Sequence, residues 1–543
     1  MKRKTIRILS LVIALCLLLG TAMGCTGTTT AEATATAGPE STETTDATEA
    51  PAAPGELPPS SDGASPDGTP PDGMGNPPDG TPPGGIGQPP SGERPEGTPP
   101  GGFGQMQMGN PPDGTPPGGM GQPPSGMPGG PGGPGGASKD IDYKGAVEIT
   151  SVDSQSGQTY ASDTEDESAL LIATDQAVTV TDPTVTKTGS SSGGDSCNFY
   201  GLNAAVLVKD GASVNITGGT VSSDAAGANG IFCYGGNGGQ NGAAGDGTTV
   251  TVRNTVITTT GSGSGGIMTT GGGVTYAYDL TVTTSGQSSA PIRTDRGGGT
   301  VYVDGGTYTS NGLGSPTIYS TAKIHVANAT LTSNLSEGVC IEGKNSITLE
   351  NCELTANNTA MNSNASFLDT IMIYQSMSGD ADSGTSSFTM TGGSLTSQNG
   401  HVFHVTNTNA IITLNGVTVV NEDSEGVLLS VCDDGWSGAG NVATLNAVGQ
   451  TLEGLLLVGS NATLTLDLTQ GSAFTGTVSG AITSAKGDVI STEVGTVNVT
   501  LDDTSSWTLT ADTYISSFTG NVASVVANGH TLYVDGVALT GTK

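Results

Sequence analysis

The sequence predicts an all-β chain folded as a parallel β-helix, a solenoid in which short strands wind around one hydrophobic core. Two observations predict this fold class. Past residue 140, short stretches of alternating apolar and polar residues return, many of them at steps of 23–26 residues, and a fixed step of this length is the signature of a repeat architecture. Strict alternation makes each stretch a strand, because successive side chains of a strand point to opposite faces.

Residues 1–24 predict a signal peptide for export. A basic start precedes an apolar run at 8–20, and small residues follow it, which is the pattern of a secretory signal. The run is shorter than the ~20 residues that a membrane-spanning helix needs. The segment Thr21-Ala22-Met23-Gly24-Cys25 resembles the bacterial lipoprotein signal, so the resemblance implies cleavage before Cys25 and attachment of diacylglycerol to it. Simple secretion after cleavage at the same small residues is the alternative.

Residues 25–137 predict a disordered linker, first rich in Thr, Ala and Glu and then in Pro and Gly. Within it, the segment at 75–92 recurs almost unchanged at 109–126. Paired prolines favour polyproline II and the intervening glycines restore flexibility, so this composition cannot bury a core. We expect a stalk that lifts a folded domain through a cell wall; a proline-rich ligand for a partner domain is the alternative.

The folded part begins at residue 138 and predicts a β-helix over 138–440. Each repeat has two alternating apolar residues, a step of Asn, Gly or Asp, and one more apolar residue followed by Thr or Ser. That last apolar residue should point inward in every coil and marks the register, at Val185, Val221, Ile257, Val282, Tyr308, Leu331, Leu354, Leu395 and Val419.

The repeats at about 165–440 resemble the pectate-lyase-like superfamily of right-handed parallel β-helix proteins. The resemblance, together with the usual chirality of parallel crossovers, implies right-handed coils. It also implies that glycans bind on the long parallel face. A β-sandwich is the alternative fold, although its hairpins need no fixed step of 23–26 residues.

Residues 441–543 predict further coils and a C-terminal cap. The segments at 461–480 and 498–518 resemble the last coils of autotransporter passenger domains and related adhesins. Trp507 and Phe518 are expected to seal the open end of the stack; an aromatic platform for sugars is the alternative role.

The charge restricts the partners. The formal net charge is −34, which repels nucleic acid and anionic lipid, so we expect no nucleic-acid partner and membrane contact only through the N-terminal lipid. A bare polyuronate would also be repelled unless a cation or a local basic patch intervened.

Stacking the repeats collects charged and aromatic residues into columns about 4.8 Å apart. Aligning the isoleucines that precede them places Arg293, Tyr319 and Glu342 in one outward column, and Asp295, Thr321 and Lys344 in a second, with Arg296 beside it. The predicted ligand-binding residues are therefore Arg293, Asp295, Arg296, Tyr319, Glu342 and Lys344. Arg293→Ala combined with Glu342→Ala is therefore expected to abolish glycan binding and to leave the melting temperature nearly unchanged, because exposed residues contribute little to stability. A surface ladder of salt bridges with little energetic weight is the alternative.

Catalysis on the same face is a second hypothesis. Asp295 and Glu342 would lie two rungs apart, a separation that inverting glycoside hydrolysis could use. A polysaccharide lyase would need Arg293 or Lys344 as the base, usually with Ca²⁺ to gather a uronate. The catalytic motifs of pectate lyases are not recognisable, so we favour binding over turnover and name no catalytic residue.

Acidic, histidine and cysteine pairs raise the question of metal and disulfide chemistry. The acidic spacing at 378–384 and the pair Asp433-Asp434 suit an oxygen-liganded cation such as Ca²⁺ but also a solvated loop. His401 and His404 should face opposite sides of a strand and so not share a metal. Cys197 and Cys233 are 36 residues apart, like the markers Val185 and Val221, which predicts either a disulfide between neighbouring coils or two stacked thiols.

Together these observations predict an exported, lipid-anchored monomer displayed at the bacterial surface. It would act as an adhesin or carbohydrate-binding module on a glycan or another cell-surface polymer. A polysaccharide lyase or glycoside hydrolase, and a structural spacer without a ligand, are the alternative functions.

Overall fold

The computed structural model describes residues 141–238, 244–361 and 365–543. The predicted signal peptide at 1–24, the lipidation site Cys25 and the linker at 25–137 lie outside these residues. In the described part of the chain the fold is all-β, and it is the right-handed parallel β-helix that the sequence predicts. No helix in the ranges described has the length and apolar character needed to cross a membrane.

The first ten coils each contribute three strands. In chain order they are β1 (Lys144–Ile149), β2 (Asp153–Ser156), β3 (Thr159–Ser162), β4 (Glu167–Ala173), β5 (Ala177–Thr181), β6 (Thr184–Lys187), the helix α1 (Asp195–Tyr200), β7 (Val206–Lys209), β8 (Ser213–Thr217), β9 (Thr220–Ser223), β10 (Ile231–Tyr234), β11 (Thr249–Arg253), β12 (Val256–Thr259), β13 (Ile267–Thr270), β14 (Gly273–Tyr278), β15 (Thr281–Thr284), β16 (Ile292–Thr294), β17 (Gly299–Asp304), β18 (Thr307–Ser310), β19 (Ile318–Ser320), β20 (Lys323–Ala327), β21 (Thr330–Ser333), β22 (Val339–Glu342), β23 (Ser346–Glu350), β24 (Glu353–Asn357), β25 (Asp369–Tyr374), β26 (Thr385–Thr391), β27 (Ser394–Asn399), β28 (His401–Thr406), β29 (Thr408–Asn415) and β30 (Thr418–Asn421).

The later coils lack the third strand and end in a small cap. Their elements are β31 (Val427–Val431), β32 (Asn441–Val448), β33 (Thr451–Val458), β34 (Ala462–Thr469), β35 (Ala473–Ser479), β36 (Ile482–Thr483), β37 (Val489–Ser491), β38 (Thr496–Leu501), β39 (Ser506–Leu509), β40 (Thr513–Ile515), β41 (Ser517–Thr519), a 3₁₀ turn at Val522–Ser524, β42 (Val525–Val526), β43 (Leu532–Val534) and β44 (Val537–Ala538).

Three parallel sheets run along the stack. Over the described residues, sheet A has fifteen strands, namely every third strand from β1 to β28 and then β31, β33, β35, β39 and β42. Sheet B has fourteen, every third strand from β2 to β29 and then β32, β34, β38 and β41, and sheet C has ten, every third strand from β3 to β30. Sheets A and B continue across the predicted boundary at 440/441, whereas sheet C ends at β30.

The register of sheet C is the one that the repeat markers predict. All nine marker residues, from Val185 to Val419, pair with one another from coil to coil. They point inward with the Val, Ile and Leu of the other two sheets and form a single continuous core. Burial of these columns is the main stabilising contribution, at roughly 25 cal/mol per Å² of apolar surface.

The Asn, Gly or Asp step of each repeat has a conformational cause. It forms the corner between sheets B and C, where the backbone is left-handed; φ is 52° at Asn254, 51° at Asp279 and 54° at Asn328. Asn and Asp are the non-glycine residues that best tolerate this conformation. Glycine occupies the same corner in other coils, for example Gly305 with φ 75°.

The two ends of the stack differ in chemistry. At the N-terminal end, the half-buried Asp153 and Gln155 stand at the inward positions that Val178 and Val180 fill in the next coil. The Gln155 amide donates to the Asp153 carboxylate at 2.6 Å, so polar groups cover the core there. At the C-terminal end, Trp507 is fully buried and its indole Nε1 donates to the Gly476 carbonyl at 3.0 Å.

The predicted equivalence of Cys197 and Cys233 is wrong. Cys197 lies in α1, which occupies the loop between β6 and β7, whereas Cys233 lies in sheet A and pairs with Val208 and Thr269. Both residues are buried free thiols. The 36-residue spacing therefore reflects an inserted loop and not a shared corner of neighbouring coils.

Candidate functional site

The outer face of sheet A carries the predicted patch, but with a different register. Arg293 pairs with Tyr319 in the next coil, as expected, and with Met268 in the preceding one. The residue paired with Tyr319 is Cys340, however, and not Glu342. Glu342 instead pairs with Tyr374. It lies two residues after Cys340 on the same strand, so it belongs to the outward column of Asp295 and Thr321.

The expectation that this patch is exposed is also wrong. Arg293, Asp295 and Glu342 are 9%, 4% and 1% exposed. The segment containing α1 contributes to this burial, because the Phe199 carbonyl accepts a hydrogen bond from the Thr270 hydroxyl at 2.7 Å and Asn198 contacts Arg293 at 3.4 Å. These residues form a buried polar network and not an exposed ladder, so their substitution affects stability.

Arg293 and Asp295 form a buried ion pair. The Arg293 Nη2 donates to Asp295 Oδ2 at 2.8 Å, and Nη1 donates to the Ser288 carbonyl at 3.1 Å. Burial raises the pKa of Asp295 to about 6, although the Arg293 charge opposes this shift. Asp295 is therefore a carboxyl that can exchange a proton near neutral pH.

Arg296 closes the α1 end of the patch. Its guanidinium donates to Asp380 through Nε, at 3.0 Å, and through Nη2, and it lies over the Phe199 ring with a separation of 4.2 Å. An open cavity of about 380 Å³ lies beside it, lined by Gly193, Asp195, Ser196, Phe199, Tyr200 and Arg296. A cavity of this size could take a small ligand or one sugar ring.

Glu342 is the centre of a second hydrogen-bond network. Its Oε2 accepts from the hydroxyls of Tyr319 at 2.5 Å and Tyr374 at 3.2 Å. Its Oε1 accepts from the hydroxyls of Ser376 and, at 3.4 Å, Ser378. Burial raises the pKa of Glu342, and the Ser376 and Tyr319 hydroxyls counteract that rise by stabilising the carboxylate. The carboxyl thus fixes two tyrosine rings on the outer face of sheet A.

These tyrosines line a narrow cleft that the sequence did not reveal. Tyr374 packs against Trp436 with ring centroids 5.0 Å apart and an interplanar angle of 54°. The cleft has a volume of about 50 Å³ and is lined by Gly314, Pro316, Tyr319, Glu337, Cys340, Ala365, Met372, Tyr374 and Trp436. Aromatic walls with a carboxyl group inside them are typical of binding sites for sugars and cations.

Lys344 does not join the patch. Its ammonium pairs with Asp382 at 2.8 Å, and both side chains are about half exposed. The two aspartates of the acidic segment at 378–384 thus hold cationic side chains, Asp380 that of Arg296 and Asp382 that of Lys344. No group of three or more His, Cys, Asp or Glu side chains suited to a metal ion occurs in the part of the chain that the structure covers.

The prediction that His401 and His404 face opposite sides is wrong. Both imidazoles contact Ser430 Oγ through Nδ1, at 2.8 and 2.7 Å, and His404 Nε2 lies 3.2 Å from Asp434 Oδ2. The Phe367 ring packs on both imidazoles. Phe367 and Asp434 come from loops, so strand alternation alone could not reveal the cluster. His404 and Ser430 are fully buried, which favours a structural role.

Stability should depend on pH through His401. Burial and the neighbouring His404 lower its pKa from 6.5 to about 3. Because the folded state binds fewer protons, the stability that this neutral imidazole contributes is complete above the unfolded pKa and is lost as the pH falls toward the folded one. At pH 5, one and a half units below 6.5, the free energy of unfolding is lower by about 2 kcal/mol for this reason.

His401→Gln tests this dependence. The free-energy difference between wild type and variant should shrink by about 2 kcal/mol when urea unfolding is measured at pH 5 instead of pH 7. Asp295, whose pKa is raised, acts in the opposite direction but equally in both proteins. The control is His325→Gln on sheet B, where the side chain is partly exposed. Equal pH dependence of wild type and His401→Gln would contradict the buried neutral imidazole.

A comparison of the chain with known protein families, curated proteins and solved structures gives no match.

Proposed function

We propose that this chain is a carbohydrate-binding module or adhesin displayed at the bacterial surface. The observation that carries the proposal is the cleft on the outer face of sheet A, walled by Tyr319, Tyr374 and Trp436 and backed by Glu342. The aromatic side chains provide contact area for a glycan at the cleft, and the buried network fixes them before a ligand arrives, which lowers the entropy lost on binding.

Binding is favoured over turnover because the carboxyl groups of the patch are already engaged. Glu342 accepts four hydroxyl hydrogen bonds, and Asp295 is paired with Arg293. A polysaccharide lyase or glycoside hydrolase is the second candidate, favoured by the burial of the Asp295 carboxyl on the outer face of sheet A, which raises its pKa to about 6. A carboxyl group of that pKa suits general acid catalysis near neutral pH.

The proposed location rests on the N-terminal sequence. Cys25 would carry the lipid at the outer face of the cell membrane, and residues 26–137 would form the stalk. Membership of the pectate-lyase-like superfamily is proposed on the repeats at 165–440 and is supported by the parallel β-helix. Fractionation of cells that express the full chain tests the anchor, because a secreted, unlipidated protein would appear in the medium.

A panel of oligosaccharides tests the function. We expect the purified protein to retain at least one class of oligosaccharide, and we expect neither new reducing ends nor unsaturated uronates after long incubation. Product formation would support the hydrolase or lyase instead. Absence of both binding and product on a panel of neutral, acidic and amino sugars would favour the structural spacer.

A further inference from the structure

We propose that the cleft between Tyr319, Tyr374 and Trp436 binds an ammonium group, so that the glycan recognised carries free amino groups. The inference rests on the proposed function, because it names the chemical class of the glycan. It differs from the uronate that the alternative polysaccharide lyase would bind. Three features of the cleft carry it: its walls, its size and the charge around it.

The walls are suited to a cation. Three aromatic rings line one narrow cleft, and the ring faces of Tyr and Trp attract cations through their quadrupole. The Tyr319 ring already has the Arg293 guanidinium 6.0 Å from its centroid, so Tyr374 and Trp436 are the walls for the ammonium group. The hydroxyls of Tyr319 and Tyr374 both donate to Glu342. Donation to a carboxylate holds the two rings in place and increases the electron density of each ring.

The size selects a head group and not a sugar ring. The cleft has a volume of about 50 Å³, whereas one water molecule needs about 10–15 Å³ of such cavity space. An ammonium or methylated ammonium group fits this space, while the sugar ring that carries it would stay at the mouth. The larger cavity of about 380 Å³ beside Arg296 lies on the same outer face of sheet A.

The charge around the cleft is acidic. Glu337 and Cys340 both line the cleft. The charges of Glu337, Asp369 and Glu342 add to the effect of burial in raising the pKa of the Cys340 thiol. Asp369 Oδ1 is buried without a hydrogen-bond partner, and burial raises the pKa of this carboxyl well above its usual range, so a bound cation would favour its ionised form. The arginines of the same face, Arg293 and Arg296, are paired with Asp295 and Asp380.

The net charge of the chain acts in the same direction. A formal charge of −34 attracts a cationic polymer and repels a polyuronate. Burial raises the pKa of Glu337, and a bound cation favours its ionised form. Binding of a cation whose own charge does not titrate, such as tetramethylammonium, should therefore release protons and strengthen as the pH rises.

Tryptophan fluorescence measures this binding directly. The chain has two tryptophans; Trp507 is buried in the core and gives a constant background, while Trp436 lines the cleft. We expect methylammonium, tetramethylammonium and glucosamine oligomers to change the emission, with sodium chloride as the ionic-strength control. N-acetylated oligomers of equal length should bind at least tenfold more weakly, since acetylation removes the charge.

Two variants keep the inference falsifiable. Glu337→Gln should weaken glucosamine-oligomer binding at least tenfold, whereas Glu353→Gln, an exposed acid on sheet C, should not change it. Trp436→Phe is a second variant, which retains an aromatic wall. We expect it to bind the oligomer in a calorimetric titration, while the change in tryptophan emission is lost. If Glu337→Gln unfolds, the pH dependence of tetramethylammonium binding by the wild type replaces it, because the charge of this ion does not titrate: binding that is unchanged or weaker at higher pH would overturn the inference.

The outcomes separate the two proposals. N-acetylated oligomers that bind as tightly as the free amines would overturn the ammonium site and leave a carbohydrate-binding module. Small ammonium ions that bind while no oligosaccharide on the panel does would support the ammonium site and overturn the proposed glycan function.

Discussion

Arg293→Ala is expected to destabilise the coil stack by about 3–5 kcal/mol, the range for breaking a buried ion pair by removing one partner. The variant leaves the Asp295 carboxylate in a buried site without its guanidinium partner, and it also removes the contacts to Ser288 and Asn198. The midpoint of urea or thermal unfolding measures the effect. If the patch were exposed, as the sequence predicts, the same substitution would leave the melting temperature nearly unchanged.

Two controls isolate the ion pair. Lys344→Ala removes the half-exposed pair with Asp382 and should cost about 0–1 kcal/mol, as for surface pairs in general. Arg293→Ala combined with Asp295→Ala removes the stranded charge and should recover part of the loss. Equal effects of Arg293→Ala and Lys344→Ala would contradict the burial described for the patch.

Glu342→Ala is expected to lower the stability by about 2–4 kcal/mol, since each buried donor left unsatisfied costs roughly 1–3 kcal/mol. The hydroxyls of Tyr319, Tyr374 and Ser376 lose their common acceptor. We also expect ligand binding to be lost, because the tyrosine walls of the cleft are no longer fixed. Chemical unfolding and Trp436 fluorescence measure the two effects.

Glu342→Gln is the matched variant. It keeps the volume and one acceptor oxygen, so its loss of stability should be smaller than that of Glu342→Ala. A variant Glu342→Ala that keeps both full stability and ligand binding would show that Glu342 does not organise the site.

The repeat pattern predicts the register of sheet C correctly, because each of its strands has one apolar marker residue. At Val221, Ile257 and Val282 a single inward apolar residue follows a left-handed corner, and a shift of one residue would turn every side chain to the wrong face. The physical constraint is therefore strong, and the predicted sheet C is confirmed.

The same pattern does not detect a shift of two residues. Val339 and Ile341 both point inward, and Cys340 and Glu342 both point outward, so either pair satisfies the alternation. Aligning isoleucines paired Ile318 with Ile341, whereas its partner is Val339. The coil there is two residues shorter than the alignment assumed.

Burial of the outer face could not be predicted from the repeats. It depends on loops inserted between strands, which carry α1, Phe367 and Trp436, and no periodicity fixes how a loop folds. For that reason Arg293 and Glu342 were expected to be exposed, and the cleft and the histidine cluster were missed.

The most direct measurement of the central claim compares two aromatic variants on an oligosaccharide that the panel identifies. Trp436→Ala removes a wall of the cleft, whereas Tyr302→Ala removes an aromatic side chain that is 43% exposed on the outer face of sheet B. We expect Trp436→Ala to weaken binding at least tenfold, about 1.4 kcal/mol, and Tyr302→Ala to leave it unchanged. Unchanged binding by Trp436→Ala, or its loss in Tyr302→Ala alone, would contradict a glycan site on the outer face of sheet A.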